Sequence, residues 1–99
     1  MMKVSVNVIK QGKHTLIAAC DLNLLGKTLK FGEINFEVRR VFYGGSVVSV
    51  EEAVNLMKQG TAVNMIGSVI VKKAIEEGLV HPQAILDISG VPHAQIVKI

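Results

Sequence analysis

Polar and apolar residues alternate over residues 3–9, with Val4, Val6 and Val8 on one side and Lys3, Ser5 and Asn7 on the other. A period of two predicts a strand with one apolar face. Residues 10–13 read as a turn, because Gly12 takes positive φ without strain. Residues 15–19 should return as the second strand of a hairpin. The run Leu16-Ile17-Ala18-Ala19 lacks polar interruption, which predicts burial on both faces. Asp21 is placed to cap a single helical turn over 22–25, closed by Gly26. Residues 28–31 and 34–38 flank Gly32-Glu33 as a second hairpin, with Ile34, Phe36 and Val38 inward. Residues 39–43 fit neither period, Gly44-Gly45 breaks them, and Val47-Val48 suits a short strand.

Helical spacing follows. Ser49-Val50-Glu51-Glu52 has the form of a capping box, and Ala53, Val54 and Met57 share a face up to Gly60. A second helix is expected over 62–77, with Thr61 as cap and Val63, Ile66, Ile70 and Ala74 as its buried stripe. Gly67-Ser68 would interrupt it as a kink or a close helix contact. Gly78 suits the left-handed stop, with Leu79 folding back, while Glu76 and Glu77 oppose the helix dipole. Residues 84–88 and 95–99 should form a third hairpin around 89–94, where Gly90 and Pro92 favour a turn. The Pro92 peptide isomer is not legible from sequence. This order predicts an α+β fold in two layers: a mostly antiparallel sheet built from hairpins, with two helices on one face. A small closed barrel is the alternative.

The 99 residues suffice for one domain and one core. An apolar share of 49% and mean hydropathy of +0.43 exclude a disordered chain. No apolar run reaches the ~18 residues of a membrane span, and the alternating start is unlike a signal-peptide core. A cytoplasmic protein without a membrane partner is therefore expected. Net charge is +3, unevenly spread. Residues 1–50 hold Lys3, Lys10, Lys13, Lys27, Lys30, Arg39 and Arg40 against three acids, a surplus of four, whereas residues 51–99 carry a net −1. A basic half suits a polyanionic partner, although strand ends and turns are also commonly solvated by lysine.

Most chemistries fail on spacing. Leu25-Gly26-Lys27-Thr28 resembles the tail of a phosphate-binding loop, but Asp21 stands where that loop needs a glycine. Gly44-Gly45-Ser46 would offer backbone amides to an anion, or simply make a tight connection. Tyr43, close behind Arg39-Arg40, would stack on a base if exposed. Cys20, the only cysteine, makes no internal disulfide. Paired with His93 and Asp21 or Asp87 it would be a thiol nucleophile, yet a free cysteine is more often a small buried hydrophobe. His14, His81, His93 and Cys20 show no metal-ligand spacing, so no metal or cofactor is expected. His93, after Pro92, is expected to shape a turn or cap a backbone carbonyl. Neither the GxxG loop of a KH module nor an RNP1 run is present.

Four stretches occur together in order: Ala18-Ala19-Cys20-Asp21 with Leu24-Leu25-Gly26-Lys27; Phe42-Tyr43-Gly44-Gly45; Ala74-Ile75-Glu76-Glu77-Gly78-Leu79-Val80; and Gly90-Val91-Pro92-His93-Ala94-Gln95-Ile96-Val97. Along nearly the whole chain they resemble the archaeal domain-of-unknown-function family 424, and the closing stretch is the most specific. The resemblance implies an archaeal cytosolic protein with a compact two-layer α/β fold, no established reaction, and an association with translation and RNA binding. Its polar positions here are Asp21, Lys27, Tyr43, Asn64, His93 and Gln95, with Gly44 and Gly45 in the loops.

The expected function is that of a non-catalytic RNA- or ribosome-associated accessory protein. Lys10, Lys13, Lys27, Lys30, Arg39 and Arg40 would neutralise phosphates, and Tyr43 would stack. A homodimeric or protein-interaction scaffold is the alternative, motivated by the high apolar fraction. A small enzyme using Cys20 or His93 comes third.

Overall fold

The computed structural model describes residues 2–98. The alternating start forms β1 (Lys3–Gln11), which turns at Gly12 (φ +60°) into antiparallel β2 (His14–Asp21). A 3-10 turn (Leu22–Leu24) leads to the hairpin β3 (Thr28–Phe31) and β4 (Ile34–Glu37). The ambiguous stretch becomes one helical turn, α1 (Arg40–Tyr43), followed by β5 (Ser46–Ser49) and α2 (Val50–Gln59). Then come β6 (Ala62–Ile66), α3 (Ser68–Glu76), a second 3-10 turn (Pro82–Ala84), β7 (Leu86–Ile88) and β8 (Val91–Val97).

Six strands form one sheet in the order β5-β1-β2-β6-β8-β7, antiparallel throughout except for the β2–β6 pair. The predicted α+β class holds, with α2 and α3 on one face. Val4, Val6, Ile17, Ala19, Val63 and Met65 of the sheet pack there against Ala53, Val54, Met57, Ile70 and Ala74 of the helices. The β3–β4 hairpin and α1 cover part of the other face, where Ala18, Cys20, Val38, Tyr43, Ile66 and Ile88 make a second cluster. Among the described residues no helix is long and apolar enough to cross a membrane.

Three expectations need correction. Residues 62–77 are not one helix: 62–66 form a central strand, and α3 starts only at Ser68. A strand buried on both faces is apolar at adjacent positions, so Val63 and Ile66 satisfied a helical stripe while lying on opposite faces. Gly67, expected as a kink or a close helix contact, is the strand-to-helix junction, at φ +122°, where a Cβ would collide with the Asp21 carboxylate. The last hairpin turns on Ser89-Gly90 alone, both at positive φ, so Pro92 and His93 lie inside β8 instead of in a turn. Finally, Ile34 is 65% exposed at the tip of its hairpin, while Val38 is buried. Ile99, expected in the last strand, lies outside the described residues.

Helix ends follow the sequence more closely. The Glu52 amide donates to Ser49 Oγ at 3.1 Å, while the Glu52 carboxylate takes the Ser49 hydroxyl instead of its amide. Gly78 (φ +74°) ends α3, and the Leu79 amide donates back to the Ala74 carbonyl. Lys58 Nζ donates to Glu77 at 3.0 Å, which offsets the unfavourable dipole placement of that carboxylate and holds it below the usual carboxylate range.

Candidate functional site

The sheet face turned away from α2 and α3 carries an unusual set of polar side chains. The two-residue period puts Ser5 and Asn7 of β1, Asn64 of β6, and His93 and Gln95 of β8 on it. Ser5 Oγ donates to the Tyr43 carbonyl at 2.9 Å, and Asn7 Nδ2 donates to the Phe42 carbonyl at 2.8 Å. These bonds hold α1, which is too short to persist alone. Its exit runs against the sheet: a Cβ at Gly45 would collide with the Val6 carbonyl, and one at Gly44 with the Arg40 carbonyl. Gly44 and Gly45 are therefore a tight connection, and the Gly44 amide is engaged with Arg40 at 2.8 Å.

A cleft of about 300 Å³ opens between this anchored turn and the β3–β4 hairpin. Phe36 and Glu37 line it from β4, and Arg39, Phe42 and Tyr43 from α1 and the residue before it. Its floor is Asn64, His93 and Gln95. The Phe36 ring meets the His93 ring edge to face at 5.7 Å, and Phe42 meets Tyr43 likewise at 4.8 Å. Gln95 Nε2 donates to Asn64 Oδ1 at 2.6 Å. That single bond leaves both Asn64 N–H groups, the Gln95 carbonyl and one Gln95 N–H without a protein partner among the described residues.

The cleft holds neutral groups beside cationic ones. Burial lowers the His93 pKa, so its imidazole is uncharged at neutral pH and offers one donor and one acceptor. Burial, and secondarily the neighbouring Cys20, push the Tyr43 phenol up to about 12. With 4% of its surface exposed, Tyr43 cannot serve as an open stacking platform. Phe36 and Phe42, half-buried in the cleft wall, are the accessible rings. Cys20 is fully buried, and its thiol is pushed up to about 11 by burial and then by Asp21.

The six predicted phosphate-binding cations fall into two groups. The Gly26 amide donates to the Val38 carbonyl at 2.7 Å and the Val38 amide to the Lys27 carbonyl at 2.8 Å. These bonds draw the 26–28 segment beside the start of α1, and the Arg40 guanidinium lies over Gly26, 2.9 Å from where a Cβ would be. Lys27, Lys30, Arg39 and Arg40 are all exposed on this layer, and Arg39 lines the cleft itself. Lys10 and Lys13 sit apart at the β1–β2 turn, about 10 Å beyond the level of Asn7 at the usual rise per residue. Among the described residues the ion pairs are Lys58–Glu77 and Lys73–Glu77, so none of these six cations is neutralised by an acid.

Asp21 has a different role from the expected one. Its side chain makes no cap for the 3-10 turn that follows it. Instead, Oδ2 accepts from the Val69 amide at 2.9 Å and Oδ1 from the Ile70 amide at 3.0 Å. It thus caps α3 from the end of β2, across 48 residues of sequence. Of the six family-type polar positions, Tyr43, Asn64, His93 and Gln95 converge on the cleft. Lys27 lies on its layer, and Asp21 is structural. Sequence reasoning missed Phe36, Phe42 and Glu37. No local signal marks those three, because their place in the cleft wall comes from the packing of β4 and α1 over the sheet. Among the described residues no three His, Cys, Asp or Glu side chains are grouped to hold a metal ion.

A family model described as "Protein of unknown function (DUF424)" matches residues 9–99. The chain is also similar to a solved structure described as an uncharacterized conserved protein from Methanopyrus kandleri. Identity is 25%, the TM-score is 0.84, and the match covers 95% of this chain and 90% of the other. Comparison with curated proteins finds no match.

Proposed function

We propose that this chain, which belongs to the DUF424 family of proteins of unknown function, is a non-catalytic protein that binds single-stranded RNA. The observation carrying this reading is the cleft and the layer that bounds it: Arg39 lines an aromatic, amide-floored recess whose only acid is Glu37, and Lys27, Lys30 and Arg40 are exposed on the same hairpin-and-α1 layer without ion-pair partners among the described residues. Cations facing a strand bind its phosphates, and a recess with π-faces accommodates unstacked bases, which duplexes do not offer. Chemistry finds less support. Cys20 is sealed in the core with a raised pKa, and His93 is held by a phenyl ring instead of a carboxylate.

Fluorescence anisotropy with short single-stranded RNA tests the reading. Four phosphate contacts give a log–log salt slope of about −3, so affinity should drop about 50-fold between roughly 50 and 200 mM salt. Replacing both Arg39 and Arg40 by Gln should reduce the slope by about 1.4. Failure of nucleic-acid-free protein to bind at the lower salt overturns the proposal.

A second reading is a homodimer, favoured by the hairpin tip, where Phe31 (40% exposed) and Ile34 (65% exposed) pair across the turn. Sedimentation equilibrium decides it: a strict monomer at high concentration eliminates this reading.

A further inference from the structure

We infer that the cleft takes in one unpaired base of the bound strand and that the Asn64–Gln95 amide pair reads that base's hydrogen-bonding edge. The inference rests on the RNA reading above and adds what that reading leaves open, a sequence-selective element.

The geometry carries it in three steps. First, size: at about 300 Å³ the cleft lies at the lower end of small-molecule sites, which suits one planar ring system. Second, lining: Phe36 and Phe42 supply apolar ring surface, while the floor supplies directed polar groups. A base needs both, a π-face for stacking and an edge for hydrogen bonds. Third, the polar groups are incompletely used. The 2.6 Å bond between Gln95 and Asn64 fixes the two amides against each other and consumes one donor and one acceptor. A donor pair and an acceptor remain side by side, the complement of the adjacent donor and acceptor that a base edge presents. The same would hold if both amides were turned over, because the pair always spends one of each.

Preorganisation strengthens the case. Asn64 sits on a central strand, between β2 and β8, so its position is set by backbone pairing on both sides. His93 is fixed by Phe36, and its neutral ring adds no charge that would repel a cationic face or demand a phosphate inside. Phosphates would stay outside, with Arg39 at the boundary between recess and rim.

The experiment compares wild-type protein and the Gln95→Ala variant on four RNA homopolymers and on an abasic strand of equal length. Gln95 is exposed, so its truncation leaves the fold intact; Asn64→Ala is the parallel variant, with its circular dichroism checked. Wild-type protein should bind all four homopolymers more tightly than the abasic strand through stacking, and should favour one homopolymer by about tenfold over the other three, the discrimination expected from one amide–base pair. In Gln95→Ala that preference should fall to within about threefold, while the salt slope stays unchanged. Equal binding of homopolymers and abasic strand, or a preference among the four bases that survives both variants, overturns the base reading and leaves phosphate binding standing. Absence of binding to every strand overturns both.

Discussion

Replacement of Asp21 by Ala should cost about 3 kcal/mol of folding stability, more than most substitutions of a polar residue. Asp21 is 6% exposed, and its carboxylate accepts two backbone amides, Val69 at 2.9 Å and Ile70 at 3.0 Å. Hydrogen bonds to a charged group contribute about 1.5–3 kcal/mol each, and a helix N-terminus adds favourable dipole interaction. Full loss of both bonds would therefore approach about 5 kcal/mol. A small recess beside Asp21, lined also by Asn23, Ser68 and Gly90, admits water to the abandoned amides, which places the expectation nearer the lower value. For a domain near 100 residues this is a fall in Tm of about 12–20 °C, read by circular dichroism, or a shift of roughly 2 M in the urea midpoint. Asp21→Asn keeps one acceptor and should lose less than half as much. The exposed Asp87, which accepts the Gly90 amide at 2.6 Å within a turn, is the control and should cost about 1 kcal/mol when replaced by Ala. An Asp21→Ala protein within about 0.5 kcal/mol of wild type would refute the long-range cap as a stabilising element.

Other outcomes are equally specific. Gly45→Ala should destabilise by about 2 kcal/mol, because its Cβ meets the Val6 carbonyl and must displace α1; an unchanged urea midpoint would contradict this packing. Cys20 should resist a thiol reagent at neutral pH in the folded protein and react only after denaturation, since it is fully buried with its pKa pushed up to about 11. Rapid labelling of native protein would revive a thiolate mechanism. For His93, burial lowers the folded pKa, so the unfolded chain takes up its proton first as pH falls through about 6.5. Stability from this residue is complete above that value and declines as pH drops toward the folded one. The other charged groups lining the cleft are Glu37 and Arg39. Urea midpoints at pH 7.5 and 5 should therefore fall further for wild type than for His93→Gln, and identical declines would contradict the assignment.

What local pattern controls was legible along the chain. The β1–β2 hairpin, the Ser49 cap and the Gly78 stop each depend on neighbours within a few residues, and the α+β class follows from their order. The division of residues 62–77 was not, because an apolar run buried on both faces carries both periods at once. Only the presence of β2 and β8 on either side makes 62–66 a strand. Asp21 shows the same limit: a residue before a helical turn reads as its cap, yet the amides it serves lie 48 positions away. The cleft is further still from any local signal. Tyr43, Asn64, His93 and Gln95 were recognisable as a set through family resemblance, but their meeting point comes from strand register and from two bonds that pin α1 to β1. Sequence alone determined which elements form where their causes are short-range. The tertiary structure decided which polar groups share a surface, because backbone pairing between distant segments fixes that choice.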